Sequence, residues 1–226
     1  MTHPIPPYAL YLLDADGTLL DFEAGEAVAL CVTFQHFNLP MEAMDSYRRI
    51  NSGLWRQLAE GTIHREALFS RRFGLFAREQ GIDLDSVRVN RFFLEQLSRQ
   101  AQHMPGAEET LKALSSRAKV AVVTNGVSFA QRERFRRSGL MPYIQHLIIS
   151  EEVGAEKPSP VIFERALKLC GHEDKAAALM VGDELATDIA GATTFGIASC
   201  LYDPKGKHWQ HEADYRITAL MELIDG

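Results

Sequence analysis

Five short apolar runs, each ending abruptly in polar residues, constrain the fold of this chain more than any other feature. They cover residues 8–13, 119–123, 146–149, 178–181 and 197–201. Helical patterns lie between the runs, over residues 107–116, 129–138, 161–170 and 186–195. Apolar strands that alternate with helices are typical of a parallel sheet covered on both faces. The sequence therefore predicts an α/β fold whose polar groups gather at the carboxyl ends of the strands.

A long segment, residues 22–103, interrupts this alternation directly after the first run. It contains no convincing strand, and helical patterns cover residues 46–61, 64–80 and 86–102. The Met104-Pro105-Gly106 sequence marks the return to the sheet, because proline and glycine punctuate boundaries. We predict a core formed by residues 1–21 and 104–226, and a helical insertion that acts as a lid.

Composition and charge limit the kinds of binding partner that are expected for this chain. The chain has 226 residues, 46% of them hydrophobic, which suffices to bury a core without disulfides. The net charge is −6 and no Lys/Arg run stands out, so a nucleic acid polymer is not expected as a partner. Three scattered cysteines suit a reducing cytosol. Without a leader-like start or a long apolar run, we expect a cytoplasmic protein with no membrane partner. We separately expect a monomer or a homodimer.

The first polar group follows the first apolar run and contains two carboxylates, Asp14 and Asp16, before Gly17. Two carboxylates at the end of one strand can face one pocket and do different work. One can attack phosphorus as a nucleophile, and the other can exchange protons with the leaving group and water. A plain strand-ending turn is the alternative for this group alone.

The next groups supply phosphate and metal ligands. Thr124 and Asn125 can hold phosphate oxygens after the second run, and Lys157 can offset phosphate charge. Asp183 ends the fourth run, and Asp188 follows at a predicted helix start, where a carboxylate is also common for structural reasons. Simple turns or a surface lysine would explain each group separately, but all four converge on one edge of the predicted sheet.

The order Asp-x-Asp-Gly-Thr, Thr-Asn-Gly, Lys-Pro and Gly-Asp-x-x-x-x-Asp resembles the haloacid dehalogenase superfamily, and the insertion resembles its type 1 helical cap, which marks subclass I. The resemblance implies a doubly wound, Rossmann-like three-layer core. It also implies that Asp14 is the nucleophile and Asp16 the acid/base residue. Thr124 and Asn125 would then bind the phosphoryl group, and Lys157 would stabilise it.

The same resemblance implies a bound Mg²⁺. The metal ligands would be the Asp14 carboxylate, a carbonyl of Asp16 and the Asp183 carboxylate, with Asp188 in a supporting position. Oxygen ligands of this kind are the ones that Mg²⁺ prefers.

Longer stretches resemble the bacterial pyrimidine 5′-nucleotidases of this superfamily, namely residues 149–158 and 123–126 and, in the insertion, Asn51, Leu54, Trp55 and Gly61. This implies a small phosphomonoester substrate, most specifically a nucleoside monophosphate, including nucleotides with unusual bases. Trp55 and Phe22 are candidates to stack on a base, with packing as the alternative. Phe69, Phe73 and Phe76, at helical spacing, are expected to pack inside the insertion.

Several alternatives stay open or are disfavoured. Phosphatases of phosphoglycolate or sugar phosphates share the core motifs, and so do phosphomutases. A haloacid dehalogenase needs no second aspartate, yet Asp16 is present. A phosphonatase would need a lysine in the cap, and residues 22–103 contain none. A binding module without catalysis is disfavoured, because such a module could lack Asp14 or Asp183, and both are present here.

Overall fold

The structure, a computed structural model, describes residues 4–208 and 210–224 of the chain. It divides into two compact units. One is formed by Met1–Phe22 and Ala101–Gly226, and the other by Glu23–Gln100. Residues 101–103 belong to the first unit because they pair with its amino-terminal part, through a bridge from Leu20 to His103 and a hydrogen bond from Asp21 N to Gln102 O.

The first unit is built on one parallel six-stranded sheet. Its strands are β1 (Leu10–Leu13), β2 (Lys119–Thr124), β3 (His146–Ile149), β4 (Ala178–Gly182), β5 (Ala198–Tyr202) and β6 (Tyr215–Ile217). Their order is β3-β2-β1-β4-β5-β6, and every neighbouring pair is parallel. This is a doubly wound order, which confirms the predicted fold class. In sheets of this kind, ligands generally bind at the topological switch point. The predictions missed β6, whose central residue is Arg216 and which therefore lacks an apolar run.

Helices account for most of the rest of the chain. They are α1 (Phe22–His36), α2 (Met44–Ala59), α3 (Arg65–Gln80), α4 (Ser86–Leu97), α5 (Ala107–Ser115), α6 (Ser128–Ser138), α7 (Ser150–Val153), α8 (Pro160–Leu169) and α9 (Ala190–Phe195). A π-helical turn, Leu185–Ile189, leads into α9. The sequence patterns predicted neither α1 nor the single turn of α7. Across the ranges that the structure describes, none of these helices is long and apolar enough to cross a membrane.

Successive residues of a strand pack alternately into two separate hydrophobic cores, one on each face of the sheet. Leu10 and Leu12 of β1 pack in the cluster that includes α8 and α9, whereas Tyr11 and Leu13 pack in the cluster that includes α5 and Phe135 of α6. All four β1 residues are almost completely buried. Side chains alternate between the faces of a strand, so only a strand covered on both sides is apolar at every position.

The second unit consists of α1 from Glu23 onward together with α2, α3 and α4. Its core is an aromatic cluster in which Tyr47 stacks on Phe73 with ring centroids 4.5 Å apart. Phe34 and Phe76 lie against each other at 5.3 Å, and Phe93 completes the cluster. Phe73 and Phe76 are therefore packing residues, as the helical spacing indicated.

Asp203, just after β5, organises the loop that leads to β6. Its buried carboxylate accepts hydrogen bonds from the backbone N–H groups of Lys207 and His208, both at 2.9 Å, and from Arg216 at 2.8 Å. Burial alone would raise the pKa of Asp203, but these donors outweigh it and lower the pKa from 3.8 to about 2. The ionised form is thus the one that the fold binds.

Replacing Asp203 with asparagine should therefore destabilise the protein in a pH-dependent way. A folded-state pKa below the unfolded one contributes stability above the unfolded pKa, and this is lost as the pH falls through the folded pKa. We expect a loss of about 2 kcal/mol in the free energy of unfolding near neutral pH, reduced to about half at pH 3. Urea denaturation measures it, with Asp45→Asn as the exposed control. Equal losses at both pH values would contradict this account.

Candidate active site

Asp14 is the first residue after β1, at the switch point of the sheet. Its N–H donates to the carbonyl of Val181 in β4, and its carboxylate is buried beside the Lys157 ammonium, to which it is hydrogen bonded. Burial raises the pKa of Asp14 well above its ordinary value, the Lys157 ammonium opposes that shift, and neighbouring carboxylates reinforce it. The single positive charge of Lys157 is therefore too small to balance the buried carboxylates around Asp14.

Lys157 lies in the loop between α7 and α8, and it is held there by Asn125. The Asn125 side chain donates to the carbonyl of Lys157 at 2.9 Å and accepts from its N–H at 2.8 Å. The Lys157 side chain is 2% exposed, and its Nζ also donates to Asp188 at 2.6 Å. Burial alone lowers the pKa of Lys157, but the charges of Asp14 and Asp188 outweigh it and raise the pKa. Lys157 is thus a buried cation between two carboxylates.

Asp188 reaches this position from the π-helical turn that follows β4. One carboxylate oxygen binds Lys157, and the other accepts from the N–H of Glu184 at 3.1 Å. A Cβ on Gly182 would collide with the Asp188 side chain, so a glycine is needed at the end of β4. This close approach gives a physical reason for the Gly-Asp-x-x-x-x-Asp spacing.

Asp183 completes an acidic cluster. Asp14, Asp183 and Asp188 each offer a carboxylate oxygen, and these atoms lie within 4.8 Å of one another. Burial, followed by the charge of Asp188, raises the pKa of Asp183 to about 7. Three carboxylates share one ammonium, and a divalent cation that prefers hard oxygen ligands would relieve that imbalance. The donor set therefore fits Mg²⁺.

Two residues of the first motif shape the same place. The Thr18 hydroxyl donates to Asp183 at 3.2 Å. Gly17 has φ +86°, and a Cβ there would collide with the Asp183 carboxylate. Only glycine tolerates both the backbone conformation and the contact.

Asp16 is bound to side chains of α6. Its two carboxylate oxygens accept from Gln131 Nε2 at 2.7 Å and from the guanidinium of Arg134. Gln131 Nε2 also donates to the Thr124 hydroxyl at 2.9 Å, and Gln131 Oε1 accepts from Arg134 at 3.0 Å. Both α6 side chains are nearly fully buried. Neither residue belongs to a sequence motif, although their spacing of three residues places them on one face of the predicted helix.

The remaining predicted residues fall into three groups. Thr124 ends β2 and its hydroxyl accepts from Gln131, whereas the next residue, Asn125, is bonded to the Lys157 backbone. Phe22 lies close to this site, because its ring centroid is 6.0 Å from the Arg134 guanidinium carbon.

Trp55 belongs to the helical unit, where its half-buried ring makes an edge contact with Phe69, with the ring centroids 6.2 Å apart.

A family model described as haloacid dehalogenase-like hydrolase matches residues 8–196 of the chain. The chain belongs to this family. It is therefore a hydrolase, and the predicted membership of the superfamily is confirmed.

The relatives with high coverage include nucleotidases. The HAD-hydrolase YfnB of Bacillus subtilis (strain 168) is 33% identical over 220 residues, which are 96% of this chain and 94% of that protein. The pyrimidine 5′-nucleotidase YjjG of Escherichia coli (strain K12) is 33% identical over 187 residues, 83% of this chain and 82% of that protein. The pyrimidine 5′-nucleotidase PynA of Streptococcus pneumoniae is 30% identical over 223 residues, 96% and 94% of the two chains. The predicted resemblance to this group is confirmed.

A solved structure agrees with the fold. The crystal structure of YfnB bound to magnesium superimposes with a TM-score of 0.91 at 32% identity, covering 97% of this chain and 98% of that one.

Proposed function

We propose that the protein is a Mg²⁺-dependent phosphomonoesterase that works through a phosphate ester on Asp14. The observation that supports this most is the buried array at the carboxyl ends of β1 and β4. It places a carboxylate that can attack, Asp14, against the Lys157 cation and beside Asp183 and Asp188. With a divalent cation to offset its carboxylates, such an array fits a substrate that brings negative charge and exchanges bonds at phosphorus.

The proposed reaction has two half-reactions. An Asp14 carboxylate oxygen attacks phosphorus, and the bond from phosphorus to the ester oxygen breaks. The carboxyl group of Asp16 gives its proton to the departing oxygen, which leaves as an alcohol. Water then attacks phosphorus, Asp16 takes up a proton from it, and the bond to Asp14 breaks to release inorganic phosphate. We assign binding of the phosphoryl group to Thr124 and Asn125, and stabilisation of its charge to Lys157.

Asp14, Asp183 and the backbone carbonyl of Asp16 would hold the metal, and Asp188 would support them. When bound, Mg²⁺ offsets phosphate charge and helps to orient the phosphoryl group.

Metal dependence provides a direct test. Chelation with EDTA should abolish hydrolysis, Mg²⁺ should restore it, and Ca²⁺ should inhibit, because its larger and looser coordination misplaces the nucleophile. Mg²⁺ alone should also raise the melting temperature by binding the folded state, and Asp183→Asn should remove that rise. Full activity in excess EDTA, or an unchanged melting shift in the variant, would contradict the assignment.

We further propose that the substrate is a pyrimidine nucleoside 5′-monophosphate, including nucleotides with unusual bases. YjjG and PynA bear the name pyrimidine 5′-nucleotidase and align over most of this chain. The core residues bind only the phosphoryl group, so the leaving group must be selected elsewhere. We assign that selection to the helical unit as a cap, with the half-exposed ring of Trp55 as the candidate for stacking on a base.

A substrate panel tests this specificity. In kcat/KM, uridine and cytidine 5′-monophosphates should exceed phosphoglycolate and hexose phosphates. Trp55→Ala should weaken nucleotide turnover more than p-nitrophenyl phosphate turnover, since stacking on a base contributes about 1–3 kcal/mol. Phe69→Ala is the matched control for the lost edge contact within the unit. A tenfold preference, on the order of 1.4 kcal/mol, for phosphoglycolate or a sugar phosphate over every nucleotide would refute the nucleotidase assignment.

A further inference from the structure

We propose that Gln131 and Arg134 of α6 are positioning residues that fix the Asp16 carboxylate at the reaction centre. The inference rests on the proposed role of Asp16 as acid/base residue. It goes further by assigning a function to two side chains outside all four sequence motifs.

The contacts are specific to the two oxygens of Asp16. Arg134 Nη1 binds Oδ1, and Gln131 Nε2 binds Oδ2 at 2.7 Å. With both oxygens held, the carboxylate cannot rotate about its terminal bond without breaking a hydrogen bond. Arg134 and Gln131 are also bonded to each other at 3.0 Å, so the two donors form one unit.

The support is itself rigid. The Arg134 side chain is 2% exposed, and its guanidinium lies 6.0 Å from the centroid of the Phe22 ring. A Cβ on Gly126 would collide with Gln131, so the loop after β2 closes tightly over that side chain. A buried arginine is costly unless it is paired, and Asp16 is its charged partner.

This arrangement leaves Asp16 able to react. Its side chain is 27% exposed, unlike that of Arg134. Two carboxylate oxygens offer about four acceptor positions, and the described contacts with α6 use one on each oxygen. The remaining positions can carry the transferred proton or accept one from water.

Gln131 also connects the acid/base residue to the phosphate side of the site. The same Nε2 atom donates to Asp16 and, at 2.9 Å, to the Thr124 hydroxyl. Thr124 is a predicted phosphoryl ligand, so Gln131 fixes the distance between the group that binds phosphate and the group that protonates the leaving oxygen. Positioning errors of this kind reduce turnover more than binding.

The test compares substrates whose leaving groups differ in their need for a proton. Arg134→Gln should lower kcat for uridine 5′-monophosphate, or for the fastest alkyl phosphate of the panel, by about 10- to 100-fold, with KM within about twofold. The burst of p-nitrophenol from p-nitrophenyl phosphate should stay within about threefold of wild type, because that leaving group departs without a proton. Gln131→Met, a second variant with a smaller folding risk, should show the same pattern. Arg132→Gln is the control, since Arg132 lies on the same helix but pairs with Glu152.

A double-mutant cycle separates positioning from a structural role. If Arg134 acts through Asp16, then adding Arg134→Gln to Asp16→Asn should change kcat by less than about twofold. Equal losses on both substrates, with additive effects in the cycle, would overturn the inference and leave a structural role for α6. If Asp16→Asn itself shows no dependence on the leaving group, the proposed function of Asp16 fails instead, so the two failures are distinguishable.

Discussion

Replacing Asp14 with asparagine should reduce phosphatase turnover by at least about 10³-fold, because loss of a nucleophile removes the covalent route. The fold should survive. Asp14 is one of three carboxylates around a single ammonium, and Lys157 keeps its 2.6 Å contact with Asp188 when the Asp14 charge is removed. We therefore expect the free energy of unfolding to stay the same or rise. Retention of more than about 1% of the wild-type rate would argue against Asp14 as the nucleophile.

Chemical trapping distinguishes the nucleophile from its partner. Borohydride reduces an aspartyl phosphate to homoserine, which peptide mass spectrometry can locate in the chain. Wild-type protein quenched during turnover should carry this change at position 14. Asp16→Asn should still carry it with p-nitrophenyl phosphate as substrate, because the first half-reaction then needs no acid. Asp14→Asn should never carry it. A homoserine at another position would reassign the nucleophile.

The sequence predicted the sheet well because of how the sheet is buried. β1 and β4 are covered on both faces, so every position is apolar and the run ends sharply at Asp14 and Asp183. β6 was not predicted, because it is a three-residue strand with a half-buried arginine at its centre. Its position comes from tertiary contacts, including the pairing of Arg216 with Asp203, which no local pattern contains.

The same reasoning explains which parts of the site were predictable. Residues at strand ends could be placed because parallel strands bring their carboxyl ends to one edge. Gln131 and Arg134 come from a helix with little apolar character, in which buried and exposed arginines look alike in sequence. Only the fold distinguishes Arg134, which is buried against Asp16, from Arg132, which is exposed and paired with Glu152. The hydrogen bonds between the Asn125 amide and the Lys157 backbone were likewise not contained in any local pattern, and phosphate binding by Asn125 stays a prediction.

Removing the buried cation should have the largest combined effect on stability and activity. In Lys157→Met, Asp14 and Asp188 would remain buried without their shared ammonium. Breaking a buried ion pair by deleting one partner typically costs about 3–5 kcal/mol, and we expect a loss of that size in urea denaturation. Phosphatase activity should be undetectable, because the site also loses the charge that meets the phosphate. Lys168→Met makes the same substitution at an exposed position of α8 and should change stability by less than about 0.5 kcal/mol.

A second substitution can separate the two consequences of losing Lys157. Adding Asp188→Asn to Lys157→Met removes one of the two unpaired carboxylates, so at least about half of the lost stability should return. Activity should not return, because no cation has been restored beside Asp14. Recovery of stability without activity would show that Lys157 has two separable roles: it neutralises buried charge in the folded protein, and it supplies charge to the reaction. If the double variant is no more stable than Lys157→Met, the instability comes from lost packing of the lysine side chain, and the electrostatic account of this site is wrong.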